Sequence, residues 1–245
     1  MPRTMRTFFD SNSMDSDNCI SLDEMESHHL SKVLRLNEGA EVEALDGKGN
    51  IYYTEIQALD RSNIILKILN NRFVEELKPF FRMAIAMPKG NRWEDMIRPL
   101  TELGVRRLTP LLTDHSECYN HEKKLDAKRL KWKKIAVDAC KQSGNPWLPI
   151  LDTPQSFSSF LENLSLDEIT CIGSLSKYAQ PFKKLELKSC DFVSILIGPE
   201  GGWSDAEELR AKEIGVIPFS LGSNTLRLES AALAGLAVAR ERFIL

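Results

Sequence analysis

Several things are missing from this 245-residue chain, and each absence narrows what it does. It holds no run of 18 apolar residues, so no segment reads as a membrane span. The stretch Met1 to Asp10 lacks the apolar core of a secretory signal. The five cysteines (Cys19, Cys118, Cys140, Cys171 and Cys190) are odd in number, scattered, and form no C-x-x-C pair. That pattern excludes a disulfide framework and fits reduced thiols in a cytoplasmic protein. His115-Ser-Glu-Cys118-Tyr-Asn-His121 groups possible ligands, but its spacing matches no standard zinc pattern. It reads as a polar loop, and no metal is expected. Positive charge is not in excess either: 32 Lys and Arg stand against 35 Asp and Glu, a net charge of −3. A general nucleic-acid binder is usually basic, so any RNA contact must come from local patches. No internal repeat, low-complexity tract or heptad run is present. Nor is there a G-x-x-x-x-G-K-[ST] loop, or a G-x-G-x-x-G after the first strand.

Apolar residues make up 42% of the chain, enough for an ordinary core in one large domain or two small ones. A compositional seam falls near Asn70 to Pro79. Before it, Ser21-Leu-Asp-Glu24 reads as a capping box opening a helix. That helix places Leu22, Met25, His29, Leu30, Val33 and Leu34 toward one side. Strands are expected at Ala40–Asp46, Ile51–Ala58 and Ile64–Leu69, with a turn at Gly47-Lys-Gly-Asn50.

Beyond the seam strand and helix patterns alternate, the signature of an α/β fold with a mainly parallel sheet. Strands are expected at Phe80–Met87, Val105–Leu112, Glu168–Leu175, Phe192–Ile197 and Val216–Leu221. Helices are expected at about Asn91–Leu103, Leu125–Gln142 (Leu130, Ile135, Ala136 and Ala139 inward), Phe157–Asn163, Asp205–Ile214 and Leu228–Phe243. Pro99 sits inside the first of these helices, where a proline costs about 3 kcal/mol and favours a kink.

The most informative stretch is Ile197-Gly-Pro-Glu-Gly-Gly-Trp-Ser204-Asp205. An apolar strand runs into a glycine loop, and Ser204 with Glu207 forms a capping box for the next helix. In an open α/β sheet, ligands bind beyond the carboxyl ends of the strands. Phosphate is disfavoured, because Glu200 and Asp205 stand where its oxygens would sit and the loop has no lysine. The carboxylates favour a cationic or hydroxyl-rich ligand, such as a nucleoside carrying a sulfonium. For this loop alone, a tight turn beside a surface capping box is the plainer alternative. A second loop, Gly222-Ser-Asn-Thr-Leu-Arg-Leu-Glu229, also follows a strand. The helix after it is lined by Ala231, Ala232, Ala234, Gly235, Ala237 and Ala239. Such small residues suit burial against a sheet, a dimer interface or a threaded loop.

Taken together, Ile197-Gly-Pro-Glu-Gly-Gly202 with Ser204, and Leu221-Gly222 with Leu226-Arg-Leu-Glu-Ser-Ala231, resemble the two cofactor loops of SPOUT-class ribosomal RNA methyltransferases. The resemblance is closest to the family that methylates uridine N3 in small-subunit (16S) ribosomal RNA. His29-Leu-Ser-Lys-Val-Leu-Arg35, Asp46-Gly47, Lys89-Gly-Asn-Arg92, Thr101-Glu-Leu-Gly-Val105 and Lys141-Gln-Ser-Gly144 are similar to other segments of that family. The pattern differs at Pro99, Asn145, Leu228 and Ser230. The resemblance implies an N-terminal PUA-like RNA-binding β-barrel (residues 1–72). It implies a SPOUT α/β domain (residues 73–245) with a mainly parallel sheet and a C-terminal trefoil knot. It further implies S-adenosylmethionine, ribosomal RNA or the small subunit as partner, and a homodimer.

Residue type and loop position then assign expected roles. Cofactor contacts fall to Leu175, Ile197, Gly198, Pro199, Gly201, Gly202, Leu221, Gly222, Asn224 and Leu226. Arg227 is expected to stabilise charge on the uracil carbonyls. Glu229 orients Arg227 or acts as base, with Glu200 as the alternative orienter; Glu229 as a plain first-turn helix carboxylate stays open. RNA contacts are expected at Arg6, Lys32, Arg35, Lys89 and Arg92. Two other functions remain open: ribose 2′-O methylation, and a non-catalytic RNA-binding assembly factor.

Overall fold

A computed structural model describes residues 4–60, 63–90, 92–116, 125–165 and 167–244. Cys118, His121 and Asn91 lie outside the described residues. The chain divides into two compact units, Met1–Glu76 with Val137–Leu148, and Leu77–Ala136 with Pro149–Leu245.

The first unit is built on a five-stranded sheet from β1 (Arg6–Phe8), β2 (Cys19–Ser21), β3 (Glu41–Leu45), β4 (Asn50–Leu59) and β5 (Ile64–Phe73), in the order β1-β3-β4-β5-β2. β1 and β3 pair in parallel; the other neighbours are antiparallel. Alternation along the strands sends Val42, Ala44, Ile56, Ile64 and Leu66 into one core with Phe9, Ile20 and Leu30. The returning segment Val137–Leu148 closes a second, smaller cluster in which Cys140 and Leu148 meet Leu45, Ile51 and Val74. The Trp147 indole N–H donates to the Val74 carbonyl at 3.1 Å. Gly49 needs its missing side chain here: φ is +98°, and a Cβ would lie 2.5 Å from the Trp147 ring.

The helix of this unit departs from its sequence pattern. Ser21 belongs to β2, and the cap is Asp23, whose carboxylate accepts the Glu26 N–H at 2.8 Å. α1 covers Glu24–His28 and continues as a π-helical turn, His29–Val33. Met25 and Val33, expected inside, are 51% and 60% exposed, while Glu26 and Ser27 are buried. The Glu26 carboxylate turns inward because it is met there: Thr7 Oγ1 donates at 2.6 Å, the Phe8 N–H at 3.3 Å and Lys141 Nζ at 2.6 Å. Buried carboxylates persist when they are paired in this way.

The second unit carries the parallel sheet. Its strands are β6 (Phe80–Ala86), β7 (Arg107–Leu112), β8 (Ile150–Leu151), β9 (Gln155–Ser156), β10 (Glu168–Gly173), β11 (Gln180–Pro181), β12 (Phe192–Ile197) and β13 (Ile217–Ser220). The order is β11-β13-β10-β12-β6-β7-β8, with β9 beside β7, and every pairing is parallel. Its helices are α2 (Arg92–Glu102), α4 (Phe157–Glu162), α5 (Asp205–Glu213) and α6 (Leu228–Ile244), and α3 (Leu125–Ser143) starts in this unit and ends in the Val137–Leu148 segment of the first. The central strand β12 is buried on both faces. Leu196 joins Phe157, Phe160 and Leu161 of α4 and Ala211 of α5, whereas Ile195 and Ile197 face Gly235 of α6. Pro99 lies inside α2, so the Asp95 carbonyl loses its helical donor. In α3 the inward expectation for Leu130 fails, since its side chain is 71% exposed. Trp132, fully buried and 5.7 Å from Trp93, takes the inner position instead.

Candidate active site

Because β13, β10, β12 and β6 are parallel neighbours, the loops that follow them emerge at one edge of the sheet. The loop after β12 is Gly198 to Trp203. Its first glycine is required by close packing: a Cβ on Gly198 would lie 2.8 Å from the Trp203 ring. That ring is fixed from two other sides. Its N–H donates to the Gly173 carbonyl at 2.9 Å, and Phe157 packs against it with the rings tilted by 40° and centroids 4.9 Å apart. Gly202 takes a left-handed φ of +74°, open to glycine at no steric cost.

The capping box forms as its residues suggest. Glu207 N–H donates to Ser204 Oγ at 3.2 Å, and the Glu207 carboxylate accepts the Ser204 N–H at 2.9 Å. It also binds the loop that follows β7. The second Glu207 oxygen accepts the Asp114 N–H at 3.0 Å, Ser204 Oγ donates to Asp114 at 2.6 Å, and His115 Nδ1 lies 3.0 Å from the Gly202 carbonyl. Sequence reasoning missed Asp114 and His115 as supports of the glycine loop. The only signal was their place beyond the carboxyl end of a parallel strand, where this fold puts its functional loops.

The loop after β10 carries Ser174, whose N–H donates to the Phe219 carbonyl at 3.0 Å and whose hydroxyl donates to Glu208 at 3.3 Å. Leu175 beside it is 73% exposed. In the loop after β13, Gly222 has a φ of +128° and its N–H donates to Ser220 Oγ at 3.2 Å. Leu221 is half-buried, Asn224 is exposed, and Leu226 is 38% exposed. Large apolar side chains left bare among polar glycine loops suit one face of a planar, partly apolar ligand. Ile197 and Pro199 are buried at the strand end.

Three charged residues converge here from distant segments. Arg92, at the start of α2, donates through Nη1 to Glu200 of the first loop and lies 3.4 Å from Glu229 on the first turn of α6. The hydrogen bond from Arg92 holds the Glu200 carboxyl below the usual carboxylate range, and the same bond raises the Arg92 guanidinium. Glu229 thus meets Arg92 rather than Arg227. Arg227 is exposed, with no side-chain partner among the described residues. Of the other expected RNA contacts, Lys32, Arg35 and Lys89 are exposed. Arg6 is engaged, pairing with Glu43 at 2.8 Å in the first unit. No helix among the described residues is long and apolar enough to cross a membrane.

Residues 76–240 match a family model described as an RNA methyltransferase domain, and residues 22–69 match an RNA methyltransferase PUA domain. The ribosomal RNA small subunit methyltransferase E of Synechocystis sp. is 32% identical over 222 residues, covering 89% of this chain and 71% of that protein. The protein of the same name from Bacillus subtilis is 29% identical over 224 residues, 86% of each. Among solved structures, a putative methyltransferase from Legionella pneumophila in complex with the bound cofactor SAM superposes with a TM-score of 0.88 at 26% identity, over 98% of both chains. A ribosomal RNA small subunit methyltransferase E from Neisseria gonorrhoeae bound to S-adenosyl methionine gives a TM-score of 0.89 at 22% identity.

Proposed function

The chain belongs to the RNA methyltransferase family, with a PUA domain ahead of a SPOUT α/β methyltransferase domain, and on that premise we propose that it methylates N3 of a uridine in small-subunit ribosomal RNA from S-adenosylmethionine. The observation that supports this most is the convergence of the loops after β10, β12 and β13, with Glu200, Arg227 and Glu229 standing at that edge.

The residues present suit that cofactor. Leu175 and Leu226 offer exposed apolar surface beside the glycine loop, and Glu200 and Asp205 give it carboxylates that suit a sulfonium. Backbone groups of Ile197, Gly198, Pro199, Gly201, Gly202, Leu221 and Gly222, with Asn224, hold it in this reading. When bound, S-adenosylmethionine supplies an activated methyl group. The protein's part is alignment, which lowers a barrier by several kcal/mol, and management of the uridine proton. N3 carries a proton, so the base must lose it before or as the new bond forms. Arg227, exposed and uncommitted, meets the charge that develops on the uracil carbonyls. Glu229 accepts the proton. Glu200, whose carboxyl the Arg92 hydrogen bond holds below the usual carboxylate range, serves orientation. N3 is also the pairing position, so the target uridine is unpaired or flipped out.

The remaining expectations belong to the same reading. Residues 1–72 form the RNA-binding module and 73–245 the catalytic one, with Lys32, Arg35 and Lys89 touching RNA. A trefoil knot in the C-terminal segment belongs to this reading as well. A homodimer and a cytoplasmic location complete it. Mass spectrometry of ribosomal RNA from a deletion strain, before and after complementation, tests the reaction. Loss and return of an N3-methyluridine in small-subunit RNA is expected. A missing ribose methyl, or no missing methyl, overturns it in favour of 2′-O transfer or an assembly factor.

A further inference from the structure

Arg92 has the residue type of a phosphate contact, yet its surroundings are wrong for one. Its Nη1 is shared between Glu200 and Glu229, so one cation faces two carboxylates. A phosphate approaching that guanidinium meets net negative charge. Two of the three residues come from elements that are themselves fixed. α2 is anchored by Trp93, Met96, Ile97 and Leu100, and α6 by Leu228, Ala232 and Leu236, all buried, and the two helices pack on each other. Glu200, by contrast, stands on the glycine loop, where the backbone has least intrinsic preference. Glu229 lies two residues beyond Arg227, on the helix turn that begins at Leu228.

We propose that Arg92 is a positioning residue of the methyl-transfer site, tying the glycine loop after β12 to the first turn of α6 and so setting the width of the cofactor cleft and the place where Arg227 emerges. The inference rests on the functional reading above and adds to it. Arg92 acts through Glu200 and Glu229, not on RNA. A carboxylate and a guanidinium are both charged across the neutral range, so the tie persists there.

The test uses the full chain and the variants Arg92→Ala, Arg92→Lys and Glu200→Ala. S-adenosylmethionine affinity is read by calorimetry, RNA binding by titration at several salt concentrations, and folding by thermal melting. Loss of a charge-assisted bond predicts a rise in the cofactor Kd of roughly tenfold in Arg92→Ala. Arg92→Lys should recover part of it, and Arg92→Ala in a Glu200→Ala background should add little. The slope of log Kd for RNA against log salt should stay at its wild-type value. Unchanged cofactor affinity with an RNA slope shallower by about 0.7–0.9 would make Arg92 a phosphate contact and overturn the proposal. So would affinity losses that simply track a lowered melting temperature in every variant. Should the wild type bind cofactor but leave uridine N3 unmodified, the functional reading fails while calorimetry still decides the role of Arg92.

Discussion

Trp203 occupies the space that a side chain on Gly198 would need: a Cβ there would sit 2.8 Å from the indole ring. The ring is held in place, since the Gly173 carbonyl takes its N–H at 2.9 Å and Phe157 packs against it at a tilt, 4.9 Å between centroids. Gly198→Ala should therefore be costly twice over. Overpacking of this kind destabilises by about 1–3 kcal/mol, and the glycine loop proposed to hold the cofactor moves with Trp203. A lower melting temperature together with weaker S-adenosylmethionine binding is expected; wild-type values for both would mean that the ring yields freely.

In the first unit, Glu26 should be indispensable to stability although it lies far in sequence from its partners. It is 6% exposed and accepts from Thr7, Phe8 and Lys141. Glu26→Gln keeps the volume and removes the charge, leaving Asp138 at 3.1 Å as the one carboxylate beside Lys141 among the described residues. A buried cation stripped of its main partner costs on the order of 3 kcal/mol. Urea unfolding should show the midpoint fall with the slope unchanged.

Two thiols should be silent in the native state. Burial pushes the Cys140 thiol up to about 12 and, with a smaller contribution from Cys190, the Cys171 thiol up to about 12 as well. Only thiolates react with disulfide reagents at a useful rate. Neither cysteine should therefore label at pH 8 without denaturant, while half-exposed Cys19 should. The sign for stability follows from the raised values. In the unfolded chain these thiols ionise near 9.0, so their neutral forms favour the folded state below that pH. The advantage is lost as pH climbs from about 9 toward about 12. Cys140→Ser should change the alkaline unfolding profile, measured by circular dichroism across that window; native labelling of Cys140 at pH 8 would refute its burial.

A pair of substitutions on α3 should separate pattern from packing. Leu130 is 71% exposed, so Leu130→Lys should shift stability by no more than about 0.5 kcal/mol. Trp132 is 1% exposed and packs on Trp93, so Trp132→Ala should cost about 3–5 kcal/mol. Chemical unfolding of both variants decides it; equal losses would contradict the orientation of the helix.

The predictions divide along what the chain announces locally. Strand β12 with its buried run, the Ser204–Glu207 box and the glycine turn at Gly202 were readable because each depends on neighbours within a few positions. The strand–helix alternation after Phe80 was readable for the same reason, and parallel pairing follows from it. Apolar spacing misled where a polar group had a distant partner: Met25 yielded the inner face of α1 to Glu26 because Thr7 and Lys141 wait there. It misled again on α3, where the volume of Trp132 outweighed the periodicity of Leu130.

Local chemistry along the chain set the longer strands and helices, the parallel sheet and the two glycine loops, since turn chemistry, caps and hydrophobic period act over a few residues; the short strands β1, β2, β8, β9 and β11 carry too little pattern to be read that way. Folding alone brought Val137–Leu148 into the first unit, braced the loop through Asp114 and Glu207, and joined Arg92 to Glu200 and Glu229 across more than a hundred residues. Such pairings depend on which side chains the packed helices and sheet bring within hydrogen-bond reach, and no local spacing encodes that distance.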